Sequence, residues 1–317
     1  MRDIEQETKF RLGCISDTPT QITNCFDIYE IFEDCIKIYK RQHKHTPATQ
    51  TVERKQGTSM QRMSILMDAI KHSEETDSVV MCYAGLDALT SSKCEGYTFG
   101  HARLKDDLDM GLIFDHWITM KGLMCRVRDK KLRRHAFKDK KCVAVWRGNR
   151  SGVGQWQHDQ RKIHREHFCD YFKTDSRIDA QIAKWQHDTT HVTREEMSDT
   201  YKYLIHLEGN DTGSDIYWVF SNQNVVFMPE HYMWNTVWHM YLKPWTHFVP
   251  FKFRENKNTG EIDTDLPEKI EWCEANQDKC VEIIHNANKL NDHMLNVDTE
   301  RRVLEQMFIT YNNNILL

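Results

Sequence analysis

Lys202-Tyr-Leu-Ile-His-Leu-Glu-Gly-Asn-Asp211 is the stretch that decides the fold class. Tyr203 to Leu207 is a short apolar run of strand length, and it breaks abruptly into Glu208-Gly209-Asn210-Asp211. Cys142-Val-Ala-Val-Trp146 repeats the design, ending in Arg147-Gly148-Asn149-Arg150-Ser151-Gly152. Asn224-Val-Val-Phe-Met228 is a third such run. Strands of this kind, separated by helix-length segments, predict an α/β layer. In open α/β sheets ligands bind beyond the carboxyl ends of the strands. The polar loops after Trp146 and Leu207 are therefore the candidate site.

Outward from this half, the C-terminal stretch from Leu266 reads as amphipathic helix, with Pro267 in a tolerated first-turn position. Val303, Leu304, Met307, Phe308 and Tyr311 mark a last helix. Towards the N-terminus, the recurrence of Ile22, Phe26, Tyr29, Ile36 and Tyr39 predicts a helix over 22–42, and the polar stretch 43–57 predicts a loop. Ser59 is placed to cap a helix running through Lys71. Ser78–Tyr83 and Leu112–Phe114 read as short strands. Arg126–Lys141 is densely basic, read as a solvated helix and linker at a domain junction rather than a phosphate patch.

Composition limits the alternatives. The 317 residues suggest about two domains of 100–200 residues each. At 39% hydrophobic and 28% charged residues the chain has the means to bury a core. A net charge of −4 argues against a dedicated nucleic-acid binder. Thirteen glycines and six prolines are too few for a turn-rich all-β fold. No run approaches 18 apolar residues, and the N-terminus has no apolar signal core, so the expected location is cytoplasmic, with reduced thiols. Ten scattered cysteines form no C-x-x-C pair.

Four segments in order resemble glycosyltransferase family 90, the group of capsule-associated proteins, protein O-glucosyl- and xylosyltransferases and bacterial lipopolysaccharide glycosyltransferases. They are Val145-Trp-Arg-Gly-Asn-Arg-Ser151, Arg177-Ile-Asp-Ala180, Lys202–Asp211 continued by Trp218-Val-Phe-Ser-Asn222, and Leu242-Lys-Pro-Trp-Thr-His-Phe-Val-Pro250. One departure stands out: Asp215 occupies the place where the protein O-glucosyltransferases carry Arg. Gly209-Asn-Asp211 and Tyr217-Trp218 resemble the lipopolysaccharide enzymes more closely, which implies a glycan acceptor.

The resemblance implies a GT-B-like architecture, two Rossmann-like α/β domains facing across a cleft. Residues 1–137 would form the acceptor-side domain, with helix 297–317 packing back on it, and 138–296 the donor-binding domain. The implied reaction is inverting, metal-independent transfer of glucose or xylose from UDP-glucose or UDP-xylose to a glycan hydroxyl, with no cofactor beyond the co-substrate. A departing diphosphate needs positive charge and backbone N–H groups. Arg150 is the first candidate, supported by Arg147, Gly148 and Ser151. Glu208, Gly209, Asn210 and Asp211 are read as ribose or sugar contacts or as a turn, and Ser221, Asn222 and His247 as further donor contacts or packed loop residues. The base is implied to be a carboxylate after an N-terminal strand, Asp87 first and Asp115 second.

Alternatives stay open. A non-catalytic carbohydrate- or nucleotide-sugar-binding protein on the same fold is one. A metal-dependent transferase using Asp107-Leu-Asp109 or Asp263-Thr-Asp265 is another, although Asp106, Asp107 and Asp109 also read as a solvated charge run. His164, His167 and Cys169, or His187 and His191, have zinc-compatible spacing that 17 histidines produce by coincidence. The sequence contains neither a P-loop nor a G-x-G-x-x-G motif.

Overall fold

The computed structural model describes residues 3–13, 20–21, 28–32, 35–40, 49–54, 64–75, 78–82, 97–100, 102–112, 136–150, 163–183, 192–213, 215–256 and 258–316. The chain divides into two compact units. One comprises Met1–Cys125, Trp234–Met240 and His293–Leu317; the other comprises Arg126–Met233 and Tyr241–Asp292.

The first unit corrects two readings. In place of a helix over 22–42, Ile28–Phe32 and Cys35–Lys40 form antiparallel strands, with Ile28 opposite Tyr39 and Ile31 opposite Ile36. The apolar residues here are mostly β-branched or aromatic, and Ile36-Lys37-Ile38 alternates with period two. Thr49–Arg54, inside the stretch read as loop, is a third strand, and Ser78–Cys82 a fourth. This four-stranded sheet is antiparallel throughout, so it is not the Rossmann-like sheet expected of this half. The capped helix begins at Ser64 and ends at Lys71; Ser59 lies outside the described residues. The strand expected at Leu112–Phe114 is Met110–Leu112, parallel to Thr98–Gly100.

Helix Ile4–Leu12 and helix Val297–Asn314 belong to this unit and are joined by buried charges. Arg11 donates from Nη1 to Glu300 Oε1 at 2.6 Å and from Nη2 to Oε2 at 2.7 Å, with Glu7 also in contact. Such a pair is tolerated only because the guanidinium fork matches the carboxylate and a second acid shares the load. Thr20–Gln21 and Ile315–Leu316 pair in parallel.

The second unit is built on five parallel strands: β1 (Lys141–Gly148), β2 (Ile178–Ile182), β3 (Tyr201–Ile205), β4 (Val225–Pro229) and β5 (Val249–Phe251). Their order is β2-β1-β3-β4-β5, every neighbouring pair parallel. Ile178 and Tyr203 flank Ala144, and Phe227 pairs with Val249. Parallel sheets are covered on both faces, so their strands are continuous apolar runs rather than alternating ones. β4, Val-Val-Phe-Met-Pro, is buried at all five positions. On one face Trp146, Tyr203, Phe227 and Val249 meet Phe168, Ile270 and Ile283. These come from helices α1 (Arg165–Tyr171), α4 (Leu266–Ala275) and α5 (Gln277–Met294). Two further α-helices among the described residues are α2 (Arg194–Thr200), started by a full capping box between Thr193 and Glu196, and the single turn α3 (Ile216–Val219). Among the described residues no helix is long and apolar enough to cross a membrane.

Candidate functional site

With strand order 2-1-3-4-5, the chain winds one way from β1 to β2 and the other way from β3 onward. In sheets of this order the connections after β1 and β3 diverge, and ligands usually bind in the crevice between them at the carboxyl ends of those two strands. The residues there are Gly148 at the end of β1, Asn149 and Arg150 after it, and His206 to Asp211 after β3.

Arg165 joins the two loops. It is the first residue of α1, and side chains on a helix lean towards its N-terminus, here towards the carboxyl edge of the sheet. Nε donates to Glu208 O at 2.9 Å and Nη2 to Leu207 O at 2.7 Å, while Nη1 reaches Asn149 O at 3.2 Å. Its guanidinium also lies 5.2 Å from the centre of the Trp146 ring. Burial lowers its pKa, against which the charges of Asp215, Glu208 and Asp211 act.

Glu208 is almost fully buried, and both its carboxylate oxygens accept the Met233 N–H, at 2.9 and 3.0 Å. Burial and the Glu208 charge raise the pKa of Tyr232. Gly209 N–H donates to Asp211 O at 2.9 Å, tightening the turn; Asp211 is buried and Asn210 half-buried. Below them, His206 Nδ1 lies 2.9 Å from Asp215 Oδ1. Burial alone would raise the Asp215 pKa, but His206 and Arg165 outweigh it and hold the carboxyl below its ordinary range. Asp215 thus has a defined partner here.

Gly148 is required by packing: a Cβ there would fall 2.5 Å from Trp146 Cζ2. Arg147 is engaged within the sheet, donating to Asp179 O at 2.6 Å and to Asp179 Oδ2 at 2.7 Å, where Tyr201 also donates. Arg150 is three-quarters exposed and its Nε meets Glu166 Oε1 at 3.0 Å. Ser151, Asp87 and Asp115 lie outside the described residues.

The topology separates the other candidates from this crevice. Ser221 and Asn222 precede β4, and His247 precedes β5, so in an all-parallel sheet they sit at its amino-terminal edge. Ser221 Oγ and Asn222 Nδ2 both donate to Trp218 O, at 2.7 and 3.0 Å, closing the end of α3. His247 Nδ1 accepts the Lys243 N–H at 3.0 Å, and burial with the Lys243 charge lowers its pKa, favouring the neutral ring. That bond sits in a tight loop where Trp245 takes φ 62°.

The metal alternatives find other engagements. Asp265 Oδ1 accepts the Lys252 N–H at 2.6 Å and its carboxylate pairs with Lys269. His167 pairs with Glu255, and His187 and His191 lie outside the described residues. No group of three His, Cys, Asp or Glu among the described residues is arranged to hold a metal ion. A cavity of about 300 Å³ opens beyond the carboxyl ends of β4 and β5, lined by Glu230, His231, Lys252 and Arg254 over Phe251 and Phe253.

Arg165 and His206 were not singled out by sequence reasoning. One signal was present for the arginine: a cation at the first position of a helix opposes the helix dipole and needs another reason to be there.

Two comparisons with known proteins bear on this arrangement. The family described as Glycosyl transferase family 90 matches residues 116–315, which include all of the parallel sheet. Uncharacterized protein 035R of Invertebrate iridescent virus 3 is 27% identical over 88 residues, covering 27% of this chain and 7% of that protein. The chain thus aligns with only a small fraction of that much longer relative.

Proposed function

The chain belongs to glycosyl transferase family 90, and we propose on that basis that it transfers glucose or xylose from a UDP-sugar to a hydroxyl of a glycan acceptor, with inversion and without a metal ion. The observation that carries this reading is the reversal of strand order between β1 and β3, with Arg165 tying together the two loops that follow them.

In the proposed reaction the acceptor oxygen attacks C1 of the donor sugar from the face opposite UDP. The C1–O bond to the diphosphate breaks as the new bond forms, and a carboxylate takes the acceptor proton. Asp87 is the first choice for that base and Asp115 the second. UDP departs with growing negative charge. Arg150 answers it, since an exposed pair with Glu166 is worth only about 0–1 kcal/mol and yields readily to a phosphate fork. Ser151 adds a hydroxyl. Arg165 stays with the carbonyls of Leu207 and Glu208 and keeps the loop 208–211 at the crevice, where Asn210 and Asp211 face the ribose or sugar. Arg147, bound to Asp179, holds the end of β1 in register.

The test is UDP release by the purified chain over a panel of UDP-sugars with a glycan acceptor mixture, with and without EDTA. Release with UDP-glucose or UDP-xylose, unaffected by EDTA and lost in Arg150→Ala and Asp87→Asn, is expected. Loss on EDTA treatment would replace the metal-free mechanism with a metal-dependent one. Stabilisation by a UDP-sugar without turnover over the whole panel would favour a binding protein instead.

A further inference from the structure

His206 is wholly buried, and its backbone N–H extends the ladder to Phe227 O at 2.9 Å. Its ring is fixed from one side only. Nδ1 meets Asp215 Oδ1 at 2.9 Å, and an ionised carboxylate only accepts, so Nδ1 carries the proton. Nε2 is then the ring's remaining polar atom. It has no hydrogen-bond partner among the described residues although it is shielded from solvent. Buried polar atoms are nearly always paired, and an orphan calls for an explanation.

The loop after β3 closes on this pair. At Gly213 a Cβ would come 2.4 Å from Asp215 Oδ1 and 2.9 Å from His206 Cε1, the ring carbon between the two nitrogens. Only a glycine lets the backbone pass so near. The surrounding charges also have a sign. Asp215, Glu208 and Asp211 all act on the single guanidinium of Arg165. Carboxylates on this loop suit neutral hydroxyl groups, which donate to them.

We infer that His206 Nε2 hydrogen-bonds a hydroxyl of the sugar nucleotide, with Asp215 as the positioning residue that fixes the ring. The inference rests on the donor-site reading above. It gives the Asp215 departure a reason: an arginine there could not accept the Nδ1 proton.

The experiment uses the full chain and calorimetric titration with UDP, 2′-deoxy-UDP, 3′-deoxy-UDP, UDP-glucose and UDP-2-deoxyglucose. The two sets separate a ribose hydroxyl from a donor-sugar hydroxyl. Wild type should reject one deoxy ligand by about ten-fold or more, because a site built around a hydroxyl loses a buried bond without it. His206→Leu should abolish that discrimination. Asp215→Leu should weaken it, and Asp215→Asn should restore most of it, since the amide oxygen still accepts from Nδ1. Spectra of ¹⁵N-histidine-labelled wild type should show the His206 Nε2 signal moving on ligand addition, with Nδ1 little changed. Equal discrimination in His206→Leu, or an unmoved Nε2 in liganded wild type, overturns the inference. Should His206→Leu fail to fold, the labelled wild-type spectrum decides. Absence of any binding to wild type would instead strike the donor-site reading itself.

Discussion

Replacing Arg165 with Met keeps an unbranched, largely apolar stem and removes the guanidinium with its hydrogen bonds. The bonds to Leu207 O and Glu208 O, at 2.7 and 2.9 Å, are short and charge-assisted. At about 1.5 kcal/mol each, they total about 3 kcal/mol. The third, 3.2 Å to Asn149 O in an exposed setting, adds little. Met does not have to be desolvated as a cation, so the expected net loss is about 2–3 kcal/mol. In a unit of this size that lowers the melting temperature by about 5–10 °C. Arg165→Lys should recover less than half, because a point charge cannot reach two carbonyls and the loop after β1 together. Thermal and urea unfolding, followed by tryptophan fluorescence, give both numbers. A melting temperature within about 2 °C of wild type for Arg165→Met would refute the idea that this guanidinium holds the two loops.

Two further predictions concern buried charge elsewhere. Glu300→Ala removes two charge-assisted bonds from buried Arg11 and should lower stability by about 3 kcal/mol in urea denaturation, whereas Arg11→Met with Glu300→Met should restore most of it; an unchanged urea midpoint in Glu300→Ala would refute this. Lys140, whose ammonium donates to Gln223 O at 2.5 Å, is pushed by burial to a pKa of about 8, with Asp199 partly opposing. Between pH 8 and 10.5 the unfolded chain keeps a proton that the folded chain has shed, so this group makes stability rise with pH there. Relative to Lys140→Met, wild type should gain up to about 3 kcal/mol over that window, and parallel pH profiles of the two proteins would rule it out.

The parallel sheet was legible because each strand carries its own end signal. The run through Trp146 and the one through Leu207 both change from apolar to charged and glycine-bearing within one residue, and the observed strands agree to within about two residues with those expected. The same signal pointed to the loops at the crevice. The N-terminal half was less legible. Ile28–Phe32 and Cys35–Lys40 meet both a helical spacing and a strand composition, and only pairing with Ser78–Cys82 and Thr49–Arg54, remote in sequence, favours the strand. Ser221, Asn222 and His247 were expected as donor contacts from the motifs that hold them. Which end of the sheet each loop occupies depends on strand direction, and that becomes visible only once all five strands are known to be parallel. His206 sits inside an apolar run, where a histidine reads as core; its partner is nine residues away, across a turn.

The way the chain is divided also bears on biosynthesis. The second unit lies within Arg126–Asp292, interrupted only by Trp234–Met240. The first unit must wait: Ile4–Leu12 packs with Val297–Asn314, and Thr20–Gln21 pairs with Ile315–Leu316. Contacts spanning nearly 300 residues carry a large closure cost and form late. On the ribosome the second unit is therefore able to collapse while the N-terminal segments remain without their final partners, exposed to chaperones. Ribosome-stalled chains cut off before residue 293 should give a protease-resistant core mapping to the second unit alone.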